Sequence, residues 1–147
     1  MDIRFAKERD IKDIIKLCAL HAAFEGAAFN ISNKEELLSK YLFSGSDVLK
    51  CLVVEEGSQI VGYATFMKQF STWDAQFYIY LDCLFFKKEM RGKGLGTKLM
   101  NKIKSHAKTE NCHSIQWQTP NFNIKAIQFY QKIGAMSKTK ERFLWCI

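Results

Sequence analysis

Arg91-Gly92-Lys93-Gly94-Leu95-Gly96-Thr97 is the stretch that decides how this chain folds. Three alternate glycines stand between two segments of different period. Before them, Gln76 to Phe86 is a long apolar and aromatic run that reads as a strand in the middle of a sheet. After them, Leu95, Leu99 and Ile103 recur at spacing four, with Met100 and Ala107 beside them, and predict a helix from about Gly94 to Lys108. Glycine lets the backbone take unusual dihedrals and lets a ligand come close. Successive amide N–H groups then point into one concavity, and the unpaired N–H groups of a helix N-terminus add to the attraction for an anion. Arg91, Lys93 and Lys98 supply full charges beside it. A pyrophosphate is the natural occupant. The P-loop pattern is absent, and so is the dinucleotide pattern G-x-G-x-x-G. The stretch also comes too late to open a first βαβ unit.

Working outward, the chain reads as one domain over residues 1–147, with no repeat, low-complexity tract or linker. Residues 2–6 predict a short strand. Asp10 is placed to cap a helix from Ile11 to about Ala23, with Ile11, Ile14, Ile15 and Cys18 on one face. Ser32 and Glu35 form a capping-box pattern ahead of a second helix carrying Leu38, Tyr41 and Leu42. Val48 to Glu55 and Gln59 to about Phe70 read as strands joined by a turn at Gly57-Ser58. Cys112 to Gln118 reads as a short strand. A helix capped by Asn121 or Asn123 runs through Lys132 and stops at Gly134, and Phe143 to Ile147 reads as a last strand. Hairpins first and helix–strand alternation afterwards imply an α/β fold with a mixed sheet and helices on both faces.

The bulk numbers set the class. A hydrophobic fraction of 48% in 147 residues is enough for a core without crosslinks. No apolar run is long enough to cross a membrane, and Met1-Asp2-Ile3-Arg4 lacks a signal-peptide core. The five cysteines, Cys18, Cys51, Cys83, Cys112 and Cys146, are odd in number and hold no C-x-x-C pair. That fits a reduced cytoplasmic protein rather than a disulfide scaffold. His21, His106 and His113 show no metal-ligand spacing, so no metal is expected. Eight basic residues lie between Lys87 and Lys108 against one acid, Glu89, so this segment alone matches the formal charge of +7. Its field attracts a polyanion, either a phosphorylated cofactor or nucleic acid.

At this point the sequence resembles a family. Arg91-x-x-Gly94-x-Gly96 is similar to the R/Q-x-x-G-x-G/A pyrophosphate loop of the GNAT superfamily of N-acetyltransferases. Asn123-Ile124-Lys125-Ala126-Ile127-Gln128-Phe129-Tyr130, followed by Gly134-Ala135, resembles that family's later helix and turn. Ile3-Arg4-x-Ala6 with Asp10 and Ile14 resembles its opening strand and helix. Within the family, Tyr80-Leu81-Asp82-Cys83-Leu84-Phe85-Phe86 resembles the Y-L-E-D-F-F-V strand of the spermidine/spermine (diamine) acetyltransferases. Phe24-Glu25 resembles their Y-E pair, and Trp73 stands near the position of a tryptophan in their substrate loop.

The resemblance implies a mostly antiparallel GNAT-type sheet and direct acetyl transfer from acetyl-CoA to an amine. It implies that Arg91, Gly92, Lys93, Gly94, Leu95, Gly96 and Thr97 hold the pyrophosphate. The main chain of Leu84, Phe85 and Phe86, with Asn123, Ala126 and Tyr130, would hold the rest of the cofactor. Asn123 is equally a helix cap. Tyr130 takes the place of the general acid; an ordinary tyrosine is protonated at neutral pH and able to donate to a departing thiolate. Asp82 takes the place of the acidic base. A partly buried carboxylate on an apolar strand has a raised pKa, which suits a base. It is also one methylene shorter than Glu, roughly 1.5 Å of reach, so it acts directly, through a water, or only by binding the ammonium. Glu25, Trp73 and Asp82 would meet a small cationic acceptor, and strand alternation points Cys83 away from Asp82. The expected partners are a small amine and a second copy of the chain, with no nucleic acid and no membrane. Three other readings stay open: a protein or peptide acetyltransferase, a silent acetyl-CoA binder, and a nucleic-acid-binding module.

Overall fold

The computed structural model describes residues 1–45 and 47–147. Among the described residues, nine α-helices and β-strands follow one another. They are β1 (Asp2–Phe5), α1 (Ile11–Glu25), α2 (Lys34–Phe43), β2 (Lys50–Glu56), β3 (Gln59–Ser71), β4 (Gln76–Phe86), α3 (Leu95–Thr109), β5 (Ile115–Trp117) and α4 (Ile124–Lys132). The five strands form one sheet in sequence order. The first four pair antiparallel, and β5 lies parallel to β4. The mixed, mostly antiparallel sheet is the one expected.

The two faces of the sheet can be read from the alternation of β2. Leu52 and Val54 point to one side, where they pack with Leu95, Leu99, Met100, Ile103 and Ala107 of α3. Cys51 and Val53 point to the other, against Ile14 and Leu17 of α1. Leu99 and Ile103 are fully buried, so each contributes about 2 kcal/mol of apolar burial that holds α3 to the sheet. The start of α1 is fixed differently from the expectation. Asp10 does not cap it with its side chain. Its carboxylate instead accepts from Arg4 at 2.7 and 3.0 Å and from the Lys7 amide at 2.7 Å. The Arg4 guanidinium holds this carboxyl below its ordinary range. A buried charge with a bidentate partner on β1 is better satisfied there than at an exposed cap.

Two other expectations are corrected. Ser32 does not cap α2; Asn33 stands at the N-cap position, in the left-handed conformation that asparagine tolerates, and its side chain makes no capping bond. No residue of α2 is fully buried, Leu38, Tyr41 and Leu42 included. The expected strand over Phe143–Ile147 is absent: residues 135–147 carry no regular structure, and Phe143, Leu144, Trp145 and Ile147 are almost wholly exposed. A strand needs a neighbouring edge to bond to, and apolar content does not supply one.

Candidate active site

The central feature is a bulge in β4. Thr65 of β3 faces Cys83 and Phe66 faces Leu81, which leaves Asp82 as the extra residue. One added residue inverts the alternation of the strand. Before the bulge Ile79 and Leu81 face α3; after it Leu84 and Phe86 do, while Cys83 and Phe85 turn toward α1. Asp82 and Cys83 therefore share a side, contrary to the alternation read from the sequence, and the Cys83 thiol donates to the Asp82 carboxylate at 3.6 Å. Asp82 is exposed rather than partly buried, so the desolvation expected to act on it is missing.

The same point is where β5 leaves β4. Their pairing ends at Leu81 and Trp117, so beyond Asp82 the edge of Leu84, Phe85 and Phe86 that faces away from β3 has no ladder partner among the described residues. The opening between the two strands leads to the glycine stretch. Gly92 and Gly94 have φ of +77° and +74°, and a Cβ on either would meet nothing within 4 Å. Gly94 caps α3, and the helix's first internal bond is made only by the Lys98 amide, so the amides of Leu95, Gly96 and Thr97 stay free for an anion. Gly96 serves packing instead: a Cβ there would lie 2.9 Å from Cζ of Phe129. Arg91 also departs from the simple charge role. Its Nε donates to the Phe86 carbonyl at 3.0 Å, and its guanidinium lies over Phe24 and Phe85, 4.5 and 5.1 Å from the ring centroids.

Across the opening stands α4. Asn123 caps it, its side-chain oxygen accepting from the Ala126 amide at 3.3 Å. Its side-chain NH2 group makes no hydrogen bond among the described residues. Tyr130 packs against Trp117 and Phe129 at 5.0 and 5.1 Å between centroids. Burial and the nearby charge of Glu25 push its hydroxyl up to about 12. Glu25, at the end of α1, is thus within electrostatic reach of Tyr130 although the two elements are far apart in sequence. Trp73 is not brought to this group. It sits in the β3–β4 turn, 97% exposed, and the run of β4 from Gln76 to Asp82 places the turn roughly 20 Å away. Two shallow depressions of about 290 and 260 Å3, near Asp13, Ser58 and Ile60, hold none of these residues.

The sequence profile of the GNAT acetyltransferase family matches residues 14–135. The chain belongs to this family. It is 30% identical over 146 residues to a thialysine N-epsilon-acetyltransferase of Mus musculus, covering 94% of this chain and 85% of that one. A protein of the same name from Sus scrofa is 31% identical over the same shares. The fold is also similar to a crystal structure of an aminoglycoside acetyltransferase from an uncultured soil metagenomic sample, with a TM-score of 0.84 at 20% identity, covering 99% of this chain and 95% of that one. The chain is therefore an N-acetyltransferase with the GNAT sheet. Within this GNAT frame three residues near the site had not been singled out: Trp117, which packs on Tyr130, and His21 and Tyr63, which join Glu25. For His21 the available signal was its place four residues before Glu25 on a helix.

Proposed function

We propose that this protein moves an acetyl group from acetyl-CoA to a primary amine of a small cationic acceptor, a polyamine or an amino-acid-like amine. The observation that carries the reading is an exposed carboxylate, Asp82, at the point where β5 leaves β4, together with a protonated phenol, Tyr130, within electrostatic reach of a second carboxylate, Glu25. The names of the thialysine N-epsilon-acetyltransferase relatives support a small amine as acceptor.

The chain's residues fit acetyl-CoA. The free amides of Leu95, Gly96 and Thr97 and the open space at Gly92 and Gly94 suit its pyrophosphate, with charge from Lys93 and Lys98. The edge of Leu84, Phe85 and Phe86, which has no ladder partner among the described residues although Arg91 holds the Phe86 carbonyl, suits a linear amide-bearing arm, with Asn123 and Ala126 to flank it. When bound, acetyl-CoA supplies the acetyl group as an activated thioester. Asp82 and Glu25 attract the ammonium of the acceptor and orient it. Asp82, directly or through one water, takes the proton that must leave before the nitrogen has a lone pair. Tyr130 holds its proton at neutral pH and donates it toward the departing sulfur.

We also propose that the protein works in the cytoplasm as a homodimer. The exposed side chains of Phe143, Leu144, Trp145 and Ile147 and the outer edge of β5, which carries no strand among the described residues, support a second copy as partner. A free-thiol assay with acetyl-CoA across polyamines, amino acids, aminoglycosides and peptides tests the activity. Turnover confined to small diamines and amino acids is the expected result. Turnover on peptides alone would replace the acceptor class, and cofactor binding without any turnover would leave a silent binder. Retained nucleic-acid binding with a steep salt dependence would point instead to the basic segment.

A further inference from the structure

Beneath the acceptor side of the site lies a row of polar groups set in apolar surroundings. Tyr63 of β3 is 1% exposed and packs with Ile14, Leu17, Val53 and Phe85. Its hydroxyl lies 3.1 Å from Nδ1 of His21, and Nε2 of His21 lies 3.2 Å from the Glu25 carboxylate. The His21 ring is stacked on Phe85, with centroids 5.0 Å apart and planes 22° apart. It is therefore held by a ring on one face and by a partner at each nitrogen. Cys18 and Cys83 pack against the same cluster, and the Cys83 thiol donates to Asp82.

The directions of these bonds follow from chemistry. An ionised carboxylate only accepts, so Nε2 of the neutral ring carries the proton and donates it to Glu25. Nδ1 is then an acceptor, and the Tyr63 hydroxyl donates to it. Burial raises the Tyr63 hydroxyl far above its ordinary range, so this donor is permanent. Both protons of the Tyr63–His21 row therefore point away from the buried tyrosine, toward the Glu25 carboxylate at the mouth of the site. A buried polar row in an otherwise apolar cluster is costly unless every member is satisfied, and here each has a partner.

We infer that His21, locked in one tautomer by Tyr63, is a positioning residue that fixes the Glu25 carboxylate for the far ammonium of a dicationic acceptor. The inference rests on the acetyl-transfer reading given above and extends it to selectivity. Glu25 is one helical turn from His21, so a side chain that would otherwise sample several rotamers is held in one. Asp82 is the carboxylate given to the amine that is acetylated, so Glu25, the second carboxylate of the site, is left for a second charge on the acceptor.

The test compares a diamine with a monoamine of similar length. In His21→Leu the ratio of their kcat/KM values is expected to fall about tenfold, chiefly through the KM of the diamine, as for loss of one well-placed charge contact. His21→Gln keeps an amide donor where Nε2 stands and is expected to restore most of the ratio. Tyr63→Phe frees the tautomer and is expected to lower it less. A purely structural role would lower both amines equally and gain nothing from Gln, and that result would overturn the inference. Imidazole nitrogen NMR of the wild-type protein gives a readout independent of turnover. The Nε2–H tautomer is expected, shifting toward a mixture in Tyr63→Phe, and an Nδ1–H tautomer in the wild type would also overturn the inference. If the wild type acetylates no amine, the acetyl-transfer reading fails, and the tautomer measurement alone decides whether the His21 row exists.

Discussion

Tyr130 shows how burial and a distant carboxylate keep a phenol protonated. The phenol sits between Trp117 and Phe129, and loss of its proton would place a second negative charge near Glu25 in a poorly hydrated site. Both effects favour the neutral form and carry the hydroxyl up to about 12. The donor is therefore intact through neutral and mildly alkaline pH, and is lost only as pH rises through that value. Tyr130→Phe is expected to lower kcat about a hundredfold or more, the usual worth of a positioned acid, while calorimetry with coenzyme A shows little change in Kd. An equal loss in both would assign Tyr130 to binding. Glu25→Gln removes one of the two causes. Ultraviolet titration of the phenol, read as the difference from Glu25→Gln/Tyr130→Phe, should then show a midpoint below that of the wild type. An unmoved midpoint would mean that Glu25 does not face Tyr130.

At the scale of the element, the first turn of α3 depends on one close approach. Gly96 lies where a Cβ would come within 2.9 Å of Phe129. Gly96→Ala gains at most about 1 kcal/mol of helix propensity against roughly 1–3 kcal/mol of overpacking, so chemical denaturation should show a net loss. In a Phe129→Leu background the same change should become neutral or stabilising, and an identical cost in both backgrounds would refute the contact. This glycine was legible as part of a ligand loop but not as a packing residue, because Phe129 lies on another helix. The elements themselves were largely legible: the bounds of β4 over Gln76–Phe86 could be read from the run of apolar residues. The phase of β4 was not. A strand buried on both faces has apolar side chains at every position, so Leu84, Phe85 and Phe86 give no sign that the alternation has shifted at Asp82. The glycine loop and Tyr130 lie in contiguous motifs that are visible in the sequence. His21 and Tyr63 meet only through tertiary contact between α1 and β3, and no local pattern joins them.

For the whole molecule, the segment after α4 is the part the single chain leaves unexplained. Gly134, at φ +91°, ends the helix, and residues 135–147 then run without a partner strand. Phe143, Leu144 and Trp145 are 91, 83 and 94% exposed, a cost in water that one copy of the chain does not recover. β5 bonds over only three residues to β4, and its other edge carries no strand among the described residues. An apolar segment without regular structure and such an edge would complement one another in hydrogen bonding and hydrophobicity, and two copies related by a twofold axis would satisfy both at once. Ending the chain after Arg142 should therefore convert a dimer into a monomer in sedimentation velocity. It should also lower the midpoint of thermal unfolding and remove the dependence of that midpoint on protein concentration. Placing lysine at Leu144 and Ile147 should act in the same direction by charging the segment without shortening it. A wild-type protein that sediments as a monomer at every concentration would refute the arrangement. So would a truncated protein that remains a dimer, since the interface would then lie on another face.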